Sequence, residues 1–361
     1  MATKDHYLVV GGGGFLGKRI AELLLESATP PPLVTILDLR RTFSDPRLTA
    51  FIEGDITDPV AVSAACKGKT VVIHTAAVIE GFPVPVYWKV NYEGTQNIIN
   101  ACRHHAVRAL VYTSSASVTY NGQDLRNGTE ADPYCDVHMD TYNETKAAAE
   151  QLVLESNGVG GLATVSLRPA GIFGPGDNNA SKGLYDAAKK GNWKFMIGDN
   201  STLFDWTYVD NVAHAHILAA KKLLSRASSS SPQQQHSPES EETAAGQAFY
   251  ITNDTPTFFW DVPKYLYNEL GYRNTLRTRI PRGVGMILGA VVDALVAIVA
   301  PFKKLTPTFT RFRVKVITNN RYLDIAKAKT VLGYVPTVPL EEGLRRTALH
   351  WKAVDKASTA A

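Results

Sequence analysis

Three glycines after the first strand-like segment constrain the fold more than any other feature of the chain. Residues 7–10 are an apolar run, residues 16–25 have a helical pattern, and Gly11, Gly14 and Gly17 lie at the turn between them. Glycines at this spacing allow positive φ angles, let the backbone approach a pyrophosphate and let helix and strand pack closely. The helix N-terminus adds free N–H groups and a positive dipole. The turn therefore predicts a dinucleotide-binding site at the start of a parallel sheet.

The acidic residue that ends the second candidate strand indicates which dinucleotide binds. Asp38 lies 21 residues beyond Gly17, where a carboxylate accepts hydrogen bonds from the adenosine ribose and repels a 2′-phosphate. Arg40 and Arg41 are close enough to bind such a phosphate. We therefore predict NAD as the cofactor and keep NADP as the alternative. Asp55 either bonds the adenine or caps the helix that follows it.

Short β-branched runs alternate with helical patterns through the first half of the chain. Parallel strands need crossover helices, so this order predicts an α/β fold with a doubly wound parallel sheet (a Rossmann fold). Such sheets bind ligands at the carboxyl ends of their strands. The other candidate strands are 34–37, 70–75, 109–113, 163–168 and 248–252, and the other candidate helices are 59–66, 90–104 and 140–155.

Length and composition indicate a globular protein of about two domains. The 361 residues are 45% hydrophobic and 20% charged, which excludes a wholly disordered chain. The net charge of +4 comes without a basic block, so no nucleic-acid partner is expected. Cys66, Cys102 and Cys135 have no metal-ligand spacing, and we expect neither a metal site nor a disulfide framework. The polar N-terminus predicts no signal peptide and a cytosol-facing location.

The predicted domains follow from where the α/β pattern stops and resumes. We predict that 1–172 form the dinucleotide-binding core, that 206–254 return to it, and that 173–205 and 255–361 form a smaller substrate-binding region. Residues 226–245 are rich in Ser, Gln, Glu and Pro, which predicts a disordered loop.

Residues 283–300 form an apolar segment whose only charged residue is Asp293. Its length is near the ~20 residues that span a bilayer, but a carboxylate at the centre costs about 2.5–3.5 kcal/mol on insertion scales. The sequence leaves three readings open: a buried helix, a helix docked on a membrane surface, and a span.

A tyrosine and a lysine one helical turn apart are the candidate catalytic groups. Tyr142 and Lys146 lie at i and i+4, on one helix face. A phenol has an ordinary pKa near 10, and a nearby ammonium and an oxidised nicotinamide would lower it. Ser115, after a candidate strand, would place a hydroxyl at the substrate oxygen. Asn91 would hold a water for proton relay, and residues 168–176 would form a rigid loop beside the nicotinamide.

Together these motifs resemble the extended short-chain dehydrogenase/reductase superfamily, and within it the 3β-hydroxysteroid dehydrogenase branch. The similarity extends over almost the whole chain. It is carried by VYTSSASV at 111–118, YNETKA at 142–147, LRPAGIFGPGD at 167–177, IGDNSTLFDWTY at 197–208, FYITNDTPT at 249–257 and IAKAKTVLGY at 325–334.

The resemblance implies a role for each site residue. Tyr142 would be the acid/base, Lys146 the ribose-binding lysine and Ser115 the hydroxyl partner of the substrate oxygen. The implied cofactor-binding residues, besides the three glycines, Asp38 and Asp55, are Phe15, Leu16, Ile56, Ala76, Ala77, Thr113, Lys146 and Pro169.

The resemblance is greatest to the members of the branch that oxidise and decarboxylate 4α-carboxysterols. It implies a sterol substrate, a membrane surface, and a location on the cytosolic face of the endoplasmic reticulum or a lipid droplet. Other enzymes of sterol C4-demethylation and a second copy of the chain are implied partners.

Three alternative functions remain open at this point. One is a 3β-hydroxysteroid dehydrogenase/isomerase or a specialised triterpenoid dehydrogenase. Another is a nucleotide-sugar epimerase or dehydratase, which would need basic side chains for a diphosphate. The third is a non-catalytic NAD-sensing protein, which would typically lack the Tyr/Lys pair.

Overall fold

The computed structural model describes residues 4–27, 29–228, 243–299 and 309–360. Within them a seven-stranded parallel sheet, the large sheet, is covered by helices on both faces, which confirms the predicted fold class. The described strands are β1 (His6–Val10), β2 (Leu33–Asp38), β3 (Ala50–Glu53), β4 (Val71–His74), β5 (Ala109–Thr113), β6 (Leu125–Gly128), β7 (Ala163–Pro169), β8 (Gly171–Phe173), β9 (Phe195–Ile197), β10 (Leu203–Phe204), β11 (Trp206–Tyr208), β12 (Gln247–Ile251), β13 (Thr257–Phe258), β14 (Thr278–Ile280) and β15 (Arg321–Leu323).

Helices connect these strands and form the layers outside them. The described α-helices are α1 (Phe15–Glu26), α2 (Pro59–Cys66), α3 (Val84–Tyr87), α4 (Gly94–His104), α5 (Thr141–Glu155), α6 (Ala180–Lys189), α7 (Val209–Ser228), α8 (Asp261–Glu269), α9 (Arg282–Val299), α10 (Arg311–Thr318) and α11 (Leu340–Ala360). A π-helical turn, Trp88–Glu93, joins α3 to α4. The predicted helix at 90–104 therefore begins earlier, at residue 84.

Side chains of the large sheet alternate between two cores. Tyr7 and Val9 of β1 pack with α1 and α7, while Leu8 and Val10 pack with α2, α4 and α5. This follows from the two-residue period of a strand, and it explains why the strand is apolar at every position.

The strand order of the large sheet, β12-β7-β5-β4-β1-β2-β3, places a crevice between β1 and β4. The connections run in opposite directions from this point, and the loops after β1 and β4 are in close contact, since a Cβ on Gly11 would lie 2.6 Å from the nitrogen of Ala76. The loops that carry Gly11 and Ala76 therefore meet at the carboxyl edge of the sheet.

Above this edge lies the small sheet, in the order β13-β10-β15-β6. Its strands come from four separate parts of the chain, and α9 and α10 pack against each other beside it. A Cβ on Gly289 of α9 would lie 2.7 Å from the backbone nitrogen of Arg311 in α10, so glycine permits this close packing.

Two predictions for the later segments need correction. The predicted disordered loop at 226–245 is wrong at its start, because α7 continues to Ser228; residues 229–242 lie outside the described residues. The buried reading of 283–300 is also wrong: α9 exposes Val284, Ile287, Leu288, Val291, Leu295 and Ile298. Among the described residues, no helix is long and apolar enough to cross a membrane.

Candidate active site

The glycine turn is shaped by close backbone contacts. Gly11 has a φ of +79°, and a Cβ there would lie 2.6 Å from the nitrogen of Ala76. A Cβ on Gly17 would overlap the carbonyl oxygen of Gly11. Gly14 is the N-cap of α1 and has no side chain to cover the first N–H groups of the helix. The turn thus leaves space and backbone donors for a pyrophosphate, and the residues present fit a dinucleotide.

Asp38 is held beside this turn. Its Oδ2 accepts a hydrogen bond from the Gly13 nitrogen at 2.8 Å, and its Oδ1 accepts one from Leu39. The Arg41 guanidinium donates to the Phe51 carbonyl and lies over the Phe51 ring, so it is engaged with β3. Arg40 is exposed. The carboxylate is therefore positioned at the end of β2, where the sequence predicts the ribose.

Asp55 does not cap α2. Its Oδ1 accepts a hydrogen bond from Thr57, and the N-cap is Asp58, whose carboxylate accepts one from Val60 at 2.9 Å. Ile56 packs against the start of α4, where a Cβ on Gly94 would lie 2.7 Å from its Cδ1. The capping alternative for Asp55 is thus wrong, and adenine contact stays a prediction.

The remaining predicted cofactor residues lie on loops that converge on the glycine turn. Ala76 and Ala77 follow β4, and Pro169 ends β7. Phe15 lies next to the loop after β7, since a Cβ on Gly174 would be 3.3 Å from its ring. Leu16 is buried in the core, which leaves only its backbone to face a ligand.

The start of α5 positions Tyr142. Asp140 is the N-cap, and its carboxylate accepts a hydrogen bond from the Asn143 nitrogen at 2.8 Å. Tyr142 is therefore on the first turn, and Lys146 follows it on the same face. Burial raises the pKa of Tyr142 to about 12, and the Ser115 hydroxyl opposes this rise as a hydrogen-bond partner.

Lys146 lies deep in the site. Its ammonium donates to the carbonyl oxygen of Thr113 at 2.5 Å and is 4.1 Å from the centroid of the Tyr112 ring. Burial lowers the pKa of Lys146 to about 7, and the Glu150 carboxylate opposes this. The lowering of the Tyr142 pKa by this ammonium and an oxidised nicotinamide stays a prediction.

Ser115 ends the loop after β5 and caps the short helical turn Ala116–Thr119. Its hydroxyl accepts a hydrogen bond from the Ser117 nitrogen at 3.2 Å and lies 2.7 Å from the Ser117 hydroxyl. The Thr113 hydroxyl donates to His216 at 2.7 Å. The backbone carbonyl of Thr113, and not its hydroxyl, therefore accepts the hydrogen bond from Lys146.

The Asn91 side chain connects two segments of the site. Its amide nitrogen donates to the Val78 carbonyl and the Thr145 hydroxyl, and its amide oxygen accepts from the Val78 nitrogen at 2.9 Å. Both donors of the side chain are thereby used. Asn91 thus ties the loop after β4 to α5, and the water-holding role expected from the sequence stays a prediction.

Sequence reasoning missed a buried ion pair behind Lys146. Glu150 is one turn further along α5, and its carboxylate contacts the Arg168 guanidinium at 2.6 Å. Tyr134 and Ser166 also donate to this carboxylate. The i, i+4, i+8 spacing of Tyr142, Lys146 and Glu150 was the available signal.

A cavity of about 910 Å³ lies beside the catalytic segments. Its walls include Thr119 and Tyr120, which follow Ser115, and Met139, which precedes Tyr142. Asp293 of α9 and Arg311 and Lys315 of α10 line the other side. Among the described residues, no group of three His, Cys, Asp or Glu side chains could hold a metal ion.

Comparison with known proteins shows which family the chain resembles in sequence. The 3-beta hydroxysteroid dehydrogenase/isomerase family matches residues 8–282. The decarboxylating sterol-4-alpha-carboxylate 3-dehydrogenase of Candida albicans is 42% identical, and the alignment covers 96% of this chain and 97% of that protein. The Saccharomyces cerevisiae enzyme of the same name is 40% identical, with 97% and 99% covered.

Solved structures share the fold at lower identity. A dTDP-glucose 4,6-dehydratase double mutant of Streptomyces venezuelae, with NAD bound, is 22% identical and has a TM-score of 0.70. The match covers 96% of this chain and 97% of that one.

Proposed function

The chain belongs to the 3-beta hydroxysteroid dehydrogenase/isomerase family, and we propose that it oxidises the 3β-hydroxyl of a 4α-carboxysterol to the ketone, with loss of the carboxylate as CO2. The observation that carries the proposal is the arrangement of Tyr142, Lys146 and Ser115 at the carboxyl edge of β5, beside the glycine turn. The names of the most similar relatives point to the same reaction.

The residues of this chain divide the oxidation between them. Tyr142 takes the proton of the 3-hydroxyl, and Ser115 donates a hydrogen bond to the developing ketone oxygen. Lys146 holds the nicotinamide ribose and supplies positive charge beside the phenol. When bound, NAD+ supplies the acceptor for the hydride from C3.

The phenol of Tyr142 must lose its proton before it can act as a base. Tyr142, with a pKa of about 12 because of burial, is protonated at neutral pH. Positive charge brought next to it favours the phenolate and lowers this pKa. Glu150 behind Lys146 favours the charged ammonium, which is the form that can do so.

Loss of CO2 needs no further catalytic group. Oxidation at C3 converts the substrate into a β-keto acid, in which the electrons of the breaking C–C bond delocalise into the ketone as an enolate. The Ser115 hydroxyl and the now protonated Tyr142 donate hydrogen bonds to that oxygen and stabilise the enolate.

We propose NAD as the cofactor. Asp38, held at the end of β2 by Gly13, suits ribose hydroxyls and repels a 2′-phosphate. Arg41 is engaged with Phe51. Arg40 is exposed and could bind a 2′-phosphate, so NADP remains the alternative cofactor.

We also propose that the exposed apolar face of α9 lies on the cytosolic surface of the endoplasmic reticulum or of a lipid droplet. A sterol partitions into lipid, and the cavity reaches α9 at Asp293. Arg282 at the start of α9, Arg279 in the preceding strand and Arg311 at the start of α10 are exposed and suit anionic headgroups. Neighbouring enzymes of sterol C4-demethylation and a second copy of the chain are the proposed partners there.

The proposal is tested with purified protein, NAD+ and a 4α-carboxysterol, measuring NADH and CO2 together. We expect both products in equal amounts. NADH without CO2, or equal turnover of a neutral 3β-hydroxysteroid followed by isomerisation of its double bond, would favour the dehydrogenase/isomerase alternative.

The catalytic assignment is tested with Tyr142→Phe. Loss of the acid/base should lower kcat by about 100-fold to 10,000-fold while dinucleotide affinity stays unchanged. Tyr272→Phe is the matched control and should retain full activity, since the Tyr272 ring packs 5.4 Å from that of Trp193 at an angle of 31° and belongs to none of the segments of the site. A Tyr142→Phe variant of nearly normal rate would contradict the assignment.

A further inference from the structure

The guanidinium of Arg321 lies against aromatic rings without an acidic partner. Its Cζ is 5.2 Å from the centroid of the Tyr120 ring and 4.6 Å from that of Phe204. Among the described residues it has neither a hydrogen-bond partner nor an ion pair. Burial lowers the pKa of Arg321, and the Tyr120 and Asp205 side chains oppose this lowering.

The Asp205 carboxylate acts on Arg321 through its charge, without a hydrogen bond or ion pair between the two side chains among the described residues. Asp205 is buried, its Oδ2 accepts a hydrogen bond from the Leu323 nitrogen at 2.8 Å, and its Oδ1 has no partner among the described residues. Burial raises the pKa of Asp205 to about 7. Arg168, in contrast, contacts Glu150 at 2.6 Å. Arg321 is half-buried and its guanidinium forms no ion pair among the described residues, so it is available to an acidic partner that the chain itself does not supply.

The two rings around Arg321 belong to segments that flank the candidate active site. Tyr120 follows the turn that Ser115 caps, and its nitrogen donates to the Ser117 carbonyl at 3.1 Å. Tyr120 also lines the cavity. The Phe204 ring lies against the start of β8, where a Cβ on Gly171 would be 2.9 Å from its Cε1. Arg321 is therefore on the substrate side of the site.

We propose that Arg321 binds the carboxylate of the substrate and thereby selects sterol acids over the corresponding neutral sterols. A guanidinium forms paired hydrogen bonds with a carboxylate, and the rings of Tyr120 and Phe204 provide apolar walls for the adjoining skeleton. This inference rests on the proposed function, because it needs an acidic group near the 3-hydroxyl.

The test compares Arg321→Met and Arg321→Lys on two substrates that differ only in the carboxylate. Loss of a charge-assisted hydrogen bond should raise KM for the 4α-carboxysterol roughly 10-fold to 100-fold in Arg321→Met. Turnover of the neutral 3β-hydroxysterol should be unchanged, and Arg321→Lys should recover part of the loss. Arg126→Met removes an exposed charge from the adjacent strand β6 and should change neither KM by more than about fivefold.

Binding of a 4α-carboxysterol analogue without the 3-hydroxyl provides a measurement that needs no turnover. Its Kd should rise in Arg321→Met by the same factor as KM. Equal losses on the acid and the neutral sterol, or no loss on the acid, would overturn the role of Arg321. If the wild type oxidises no carboxysterol, the proposed function fails, and the Kd of the analogue still decides whether Arg321 holds a carboxylate.

Discussion

Charged side chains beside the large sheet have partners within the chain, whereas two charged side chains at the small sheet do not form ion pairs among the described residues. Beside the large sheet, the Arg168 guanidinium is paired with Glu150, and the Asp38 carboxylate is held by Gly13. At the small sheet, the Arg321 guanidinium lies against the rings of Tyr120 and Phe204, and the Oδ1 of Asp205 has no partner among the described residues. The adjoining helix α9 exposes an apolar face.

The two regions therefore differ in how much of their charge and apolar surface a ligand has to cover. The cofactor side is built from contacts within the chain, so its geometry is ready before a ligand arrives. The substrate side leaves a cation and an apolar face uncompensated, which suits an acidic, apolar ligand taken from a lipid surface.

The strongest way to break the cofactor side is Gly17→Ala. The new Cβ would overlap the Gly11 carbonyl, so backbone must move, at a cost of at least about 4 kcal/mol in stability, dinucleotide affinity or both. Calorimetric titration with NAD+ and thermal unfolding measure the two parts. Gly183→Ala in α6 is the control, since nothing lies within 4 Å of its new Cβ. This variant should stabilise the helix slightly, because alanine loses less backbone entropy than glycine. Unchanged affinity and stability in Gly17→Ala would contradict the packing described for the turn.

Removing each arginine in turn tests the comparison directly. Arg168→Met removes the ion-pair partner of the buried Glu150 carboxylate and should cost about 3–5 kcal/mol in free energy of unfolding. Arg321→Met removes a charge without a partner and should leave the ligand-free protein as stable as before, or more so. Urea unfolding measures both variants. Equal destabilisation would show that Arg321 also has a structural partner.

The two regions should also respond to pH with opposite signs. Burial lowers the pKa of His216 to about 4, so the neutral form stabilises the fold above pH 6.5 and about 3 kcal/mol is lost as the pH falls towards 4. Burial raises the pKa of Asp205 to about 7, so its contribution is present below pH 3.8 and is lost as the pH rises through 7.

Two variants separate these contributions. Relative to wild type, Asp205→Asn should gain stability between pH 4 and 7, and His216→Gln should gain it as the pH falls below 6.5. Urea unfolding at a series of pH values gives both slopes. Parallel slopes would refute the opposite assignment.

The smallest effect is expected at the apolar face of α9. Ile287→Ser with Leu295→Ser removes side chains that are 67% and 54% exposed, so stability should change little. Binding to phospholipid vesicles should fall about tenfold or more, because apolar area that enters the lipid is lost. Val60→Ser, 75% exposed on α2, is the control. Unchanged vesicle binding in the double variant would exclude this face as the lipid contact.

Local pattern predicted the large sheet closely and the small sheet hardly at all. The predicted strand at 109–113 is Ala109–Thr113 in the structure, and 163–168 is Ala163–Pro169. These strands are buried on both faces, so their residues are apolar throughout. β10 has two residues and β15 has three, so neither strand is long enough to show an alternation of apolar and polar residues. Their pairing depends on segments more than a hundred residues apart.

The sequence alone determined the elements whose signals are local: the glycine turn, the acidic end of β2, and the Tyr142–Lys146 spacing on one helix. Only the tertiary structure decided which partners those groups meet. It made Asn91 a clamp on Val78 and Thr145, paired Arg168 with Glu150 and left Arg321 between two rings. Backbone geometry depends on neighbouring residues, whereas desolvation and charge pairing depend on groups brought together from distant parts of the chain.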